Sequence, residues 1–101
     1  MKYEISNTDD AVTIAIGGQL IYSDTSNFTE ILKRVEETVG AACILDLAGL
    51  EHIDSSGLRM VLLLHDACKE RGAALTIKFA KGHVREMLFH CRFETIVDIV
   101  D

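Results

Sequence analysis

The pattern that most restricts this chain is a repeated change in the spacing of its apolar residues. The period goes from two, a strand, to roughly 3.6, a helix, and back again along the 101 residues. Tyr3 and Ile5 begin a first strand, and Val12, Ile14 and Ile16 alternate with Thr13 and Ala15 as a second. Asn7-Thr8-Asp9-Asp10 between them reads as a hairpin turn, and Gly17-Gly18 is expected to end the second strand. Phe28, Ile31, Leu32, Val35 and Val39 then predict a helix over residues 27–39. Asn27 and Glu30 form its capping box, Asp24-Thr25-Ser26 offer alternative caps, and Gly40 is the stop. The run from Cys43 to Leu47, bounded by Ala48-Gly49, reads as a central strand.

A second helix is expected from Ser56 to Arg71, ending at Gly72, with Lys69 and Arg71 suited to its C-terminal dipole. It is apolar around much of its circumference. Met60, Leu63 and Leu64 extend beyond the stripe of Leu58, Val61, Leu62 and Cys68, which implies either deep burial or a docking patch. Leu75, Ile77 and Phe79 mark another strand, and Val84, Met87, Leu88 and Cys91 a shorter helix. Ile96 to Val100 reads as a last short strand or docked tail. Strands alternating with helices predict an α/β (α+β) fold with a mixed, partly parallel sheet and helices against it.

Composition narrows the function. One domain over residues 1–101, without linkers, is expected from the length, the 49% apolar content and the absence of proline. A net charge of −6 disfavours a sequence-independent nucleic-acid binder, and 6% aromatic residues are too few for a base-stacking platform. Cys43, Cys68 and Cys91 are widely spaced with no C-x-x-C motif, which fits a reduced, cytoplasmic chain. The longest apolar run, Met60 to Leu64, is far too short for membrane insertion, and the N-terminus lacks a signal-peptide core.

The chemistry-bearing segment is Asp54-Ser55-Ser56-Gly57-Leu58, between the central strand and the second helix. Its plain reading is an N-cap: Ser and Asp satisfy free amides at a helix start, and Gly57 eases the turn. Its functional reading is a switch. A phosphate placed at a helix start meets unpaired amides and the positive end of the dipole, and Gly57 leaves the hydroxyls open to approach. Serine hydrolysis is disfavoured because the G-x-S-x-G elbow is absent and nothing assures that His52 faces Ser55. A metal set from His65, Cys68, His90 and Cys91 has unspecific spacing, and Gly17-Gly18 is no phosphate cradle. No cofactor is implied.

With these residues in view, the chain resembles a STAS domain, specifically a stand-alone anti-sigma-factor antagonist. The likeness spans residues 3–100. It rests on the element order, the Ile44-Leu45-Asp46-Leu47 strand, the Ile53-Asp54-Ser55-Ser56-Gly57-Leu58 signature and the Val84-Arg85-Glu86-Met87-Leu88 helix. The resemblance implies a sheet of four to five strands with helices packed on one side. It also implies a non-enzymatic partner-switching regulator of transcription. The unmodified domain binds an anti-sigma factor that is also a serine protein kinase, which frees a sigma factor. The kinase phosphorylates Ser55, and a PP2C-type phosphatase reverses the step. Asp54, Ser55, Ser56 and Gly57 are then expected at the partner-binding loop, with Asp24 and Met60 close by, on a monomer or weak dimer. Relatives commonly carry an acid soon after the glycine that ends the second strand. Here Ile21 follows Gln19-Leu20, and Asp24 is the next acid. The alternative within the same resemblance is a constitutive scaffold in a stress-signalling assembly, or a lipid-transporter subunit, with no phosphorylation switch.

Overall fold

The computed structural model describes residues 1–7, 10–37 and 42–100. Strand β1 (Lys2–Asn7) pairs antiparallel with β2 (Ala11–Leu20). A 3₁₀ turn over Tyr22–Asp24 leads into helix α1 (Thr25–Glu37). Then come β3 (Ala42–Asp46), β4 (Leu50–Ile53), the long helix α2 (Ser55–Glu70) and β5 (Ala74–Lys78). Helix α3 (Gly82–His90), a 3₁₀ turn at Phe93–Thr95 and β6 (Asp98–Val100) close the fold.

The sheet runs β1-β2-β3-β5-β6, with β4 paired to the far end of β2. All its pairings are parallel except β1 with β2, so it is mixed, as the alternating pattern predicts. Pleating puts successive side chains on opposite faces. Val12, Ile14 and Ile16 of β2, Cys43 and Leu45 of β3, and Leu75 and Ile77 of β5 are buried on the helix side. Thr13, Ile44 and Thr76 sit in register on the other face and are only half-buried.

Helix α1 buries Phe28, Ile31 and Val35, and α2 buries Leu58, Met60, Val61, Leu64, Ala67 and Cys68. These side chains and the strand residues form one core.

Three boundaries differ from the sequence reading. Strand β2 continues through Gly17-Gly18 to Leu20, with a bulge between Gly18 and Gln19 where Gly18 takes φ +80°. A bulge re-aims a strand without ending it, and past it β2 pairs with β4, an element the apolar pattern missed. Helix α1 starts two residues before Asn27, so Asn27 is not its cap. Glu30 instead accepts a 3.0 Å hydrogen bond from the Tyr3 hydroxyl, tying β1 to α1. Phe79 lies beyond β5 in a left-handed conformation (φ 65°) and is exposed. The expected turn residues Thr8 and Asp9, and Val39 and the Gly40 stop, lie outside the described residues.

Candidate functional site: the start of helix α2

Three pieces of chain meet where α2 begins: the end of β2 with the 3₁₀ turn after it, the end of β4, and the first turn of the helix. Asp54 joins them. Its backbone is extended, as an N-cap requires, and its Oδ1 accepts a 2.8 Å hydrogen bond from the Gly57 N–H. Its Oδ2 accepts from the Tyr22 N–H at 3.1 Å, and its own N–H donates to the Leu20 carbonyl at 3.3 Å. One carboxylate thus caps the helix and anchors the β2–α1 connection.

Ser55 is the first residue inside the helix, and its side chain is exposed. Ser56 follows, half-buried. The opening amides of a helix have no carbonyl partner within it, and Asp54 already holds that of Gly57. The Ser55 and Ser56 amides therefore mark the positive end of a 16-residue helix beside an exposed hydroxyl.

Gly57 has a role that composition did not reveal. It is buried, and a Cβ there would collide with the Leu20 carbonyl oxygen and lie 2.6 Å from Cγ1 of Ile53. The glycine lets α2 pack directly on the β2 backbone. It faces the fold, so leaving the hydroxyls open to approach is not its purpose.

Two further residues sit differently from expectation. Asp24 is buried beneath the connection. Its Oδ2 accepts from the Ile21 N–H at 2.9 Å, and Oδ1 lies 3.3 Å from the Met1 ammonium. It shapes the loop from inside and offers no carboxylate to a docking surface. Met60 is 2% exposed, packed in the core, and contributes no surface either. The positions that face outward are Leu62 and Leu63, 40% and 42% exposed. With Ser55, Arg59 and Asp66 they form the outer side of α2. Tyr22, 75% exposed, lies at the start of that helix, on the turn that Asp54 anchors. Nothing in the spacing of the sequence pairs Tyr22 with Asp54, so this exposed aromatic was not legible there.

On the other flank, His83 of α3 bonds the Ile53 carbonyl through Nε2 at 3.1 Å, and its ring stacks on His52 with centroids 4.9 Å apart. A carbonyl can only accept, so Nε2 carries the proton. The pair braces β4 against α3 immediately before Asp54. Among the described residues no three of His, Cys, Asp or Glu converge as a metal set, and no helix is long and apolar enough to cross a membrane.

This strand-to-helix loop, at the carboxyl end of β4 and within a mixed sheet of this order, is matched by a family model described as the STAS domain, over residues 2–101. The chain belongs to the STAS domain family. A STAS-domain containing protein of Pseudomonas aeruginosa (strain UCBPP-PA14) is 30% identical over 88 residues, covering 87% of this chain and 86% of the relative. Among solved STAS-like structures, a putative anti-sigma factor antagonist of Thermotoga maritima superposes with TM-score 0.85 at 19% identity, covering 98% and 86% of the two chains. The anti-sigma factor antagonist SpoIIAA in its unphosphorylated form gives 0.76 at 17% identity, covering 99% and 88%. The STAS domain of a SulP transporter from Vibrio cholerae gives 0.74 at 14% identity, covering 95% and 77%. At these identities the structural likeness speaks for the STAS fold.

Proposed function

We propose that this STAS domain is an anti-sigma-factor antagonist, a cytoplasmic, non-enzymatic regulator whose choice of partner is switched by phosphorylation of Ser55. The observation that carries the reading is the exposed Ser55 hydroxyl at the first position of α2, on a loop held rigid by Asp54. The likeness to anti-sigma factor antagonists, one of them solved in its unphosphorylated form, supports it. In the unmodified state the loop and the outer side of α2 dock an anti-sigma factor that is also a serine kinase, through Tyr22, Ser55, Arg59, Leu62 and Leu63. Asp54, Ser56 and Gly57 fix the shape of that surface from within. Phosphate adds about −1.5 to −2 charges and three acceptor oxygens. At home the free helix amides accommodate it. Inside an interface it must be desolvated or matched by a new cation, which costs several kcal/mol, and each ~1.4 kcal/mol is tenfold in affinity. A PP2C-type phosphatase resets the switch.

The test is incubation with ATP and the cognate kinase, followed by intact mass and calorimetric titration. The wild-type chain gains one phosphoryl group and loses affinity for the kinase, Ser55→Ala stays unmodified and bound, and Ser55→Asp binds weakly. Equal affinity of all three proteins overturns the reading. The likeness to a transporter STAS domain favours a second one, a constitutive scaffold or regulatory subunit. That reading predicts no mass gain and an unchanged complex with Ser55→Ala.

A further inference from the structure

Two nucleophilic side chains lie outside the switch. Cys43, on the helix-facing side of β3, is 3% exposed, and Cys68, near the C-terminal end of α2, is 1% exposed. Both line one cavity of about 20 Å³, with Val12, Val35 and Ala73 supplying apolar walls. That volume holds about one water-sized group. Arg71, an exposed residue, also contributes to the lining, so the cavity opens beside solvent.

The two thiols face the same cavity, close enough to perturb each other, and the pair is asymmetric. The neighbouring Cys68, together with burial, pushes the Cys43 thiol well above its ordinary range. The same pairing draws Cys68 downward, against the opposing effect of burial. Cys68 is thus the member of the pair drawn toward the thiolate, and Cys43 the member held toward the thiol. A thiolate, not a thiol, is the nucleophile in sulfur chemistry.

We propose that Cys43 and Cys68 are an oxidant-responsive dithiol that closes to a disulfide between β3 and α2 when hydrogen peroxide reaches the pair from the solvent side of the cavity. In the first step the Cys68 sulfur attacks a peroxide oxygen. The S–O bond forms, the O–O bond breaks, and the departing oxygen leaves as water after taking a proton. The cavity accommodates the oxygen left on Cys68. In the second step the Cys43 sulfur attacks the Cys68 sulfur. The S–S bond forms, the S–O bond breaks, and the Cys43 proton leaves with the oxygen as water. Two electrons pass from sulfur to the peroxide, and a thiol reductant reverses the change.

The bridge spans residues 43 to 68, a loop that contains β4 and the whole start of α2. Closing it restricts the unfolded chain and pins the far end of the helix whose near end carries Ser55. The chemistry depends on the thiol pair alone and stands whether or not Ser55 is phosphorylated.

The experiment uses the full chain with Cys91→Ser, a substitution at an exposed residue that leaves only the two buried thiols. The folded protein is exposed to hydrogen peroxide, quenched, alkylated under denaturing conditions and analysed by intact mass and peptide mapping. The expected product has lost two hydrogens, takes up no alkylating agent, yields a peptide pair joined at Cys43 and Cys68, reverts with dithiothreitol and melts at a higher temperature than the reduced form. Full alkylation of both thiols after exposure overturns the proposal, as does oxygen retained on either sulfur without a crosslink, or a disulfide joining two chains.

Discussion

At the residue scale, Asp54 and Gly57 each meet two demands, and substitutions can separate them. Asp54→Ala removes the helix cap and costs about 1 kcal/mol of stability. It also frees the Tyr22 amide, which then exchanges faster with solvent. Asp54→Ser retains an oxygen that can cap Gly57 but is too short to reach Tyr22 as well. Urea unfolding should show most of the stability restored, while hydrogen exchange at Tyr22 stays fast. Coincident recovery of both signals would mean that the carboxylate does not bridge the two segments. For Gly57 the sign of the effect is the test. Helix propensity alone makes Gly→Ala stabilising by about 1 kcal/mol. The collision with Leu20 and Ile53 predicts the reverse, a loss on the order of 1–3 kcal/mol, because backbone carbonyl and packed side chain must both shift. A Gly57→Ala protein more stable than wild type in urea would contradict the close approach.

At the element scale, β2 is the organising strand, since β3 pairs with its first half and β4 with its last three residues. The Gly18 bulge makes that division possible. With φ +80° and no atom within 4 Å of a hypothetical Cβ, Gly18→Ala suffers backbone strain alone, about 1–2 kcal/mol. Gly17→Ala meets only ordinary contact with Gly49 and should be much milder. Chemical denaturation of the two variants side by side checks the contrast. This junction also shows where the sequence ran out. Strands with one buried face announce themselves by alternation, which is why Val12-Ile14-Ile16 and Leu75-Ile77 were legible. Strand β4 is buried at Leu50 and Ile53 with two exposed residues between, an i, i+3 spacing that lacks a strand's alternation, and its partner is known only from the fold. Glycines read as a stop because a bulge and a terminus use the same residue. On α2, leucines nearly all round give no phase, so the apolar pattern puts Leu62 on the inner stripe and leaves Met60 between burial and a docking patch, whereas packing exposes Leu62 and buries Met60. The Asp54-Ser55-Ser56-Gly57 segment stood out because its capping pattern is local. The partners that explain it, Leu20 and Tyr22, lie more than thirty residues earlier and could not be read from spacing.

At the scale of the whole molecule, the proposed switch must act at the surface, because the energies do not permit it to act on the fold. A phosphate on Ser55 gains about 0.3–1 kcal/mol from the helix N-terminus, offset in part by the nearby Asp54 carboxylate. Global stabilities of domains are about 5–15 kcal/mol, so a net change of this size leaves the core intact. The same dianion buried against a partner costs several kcal/mol, enough to exchange one complex for another. The site's position fits that division of effect: Ser55 is exposed, whereas the core beneath it, from Ile14 and Leu45 to Leu64 and Ile77, is fully buried. Hydrogen exchange on the phosphorylated and unmodified chains should therefore show equal protection throughout β2, β3 and β5, with differences confined to residues 20–24 and 54–58. Loosened exchange across the central strands on phosphorylation would mean that the modification works by unfolding rather than by excluding a partner. Unchanged exchange in the loop, combined with loss of binding, would leave charge repulsion alone as the mechanism. In that case raising the salt concentration should restore a measurable part of the lost affinity, since exposed charges are screened within about 10 Å at 0.1 M.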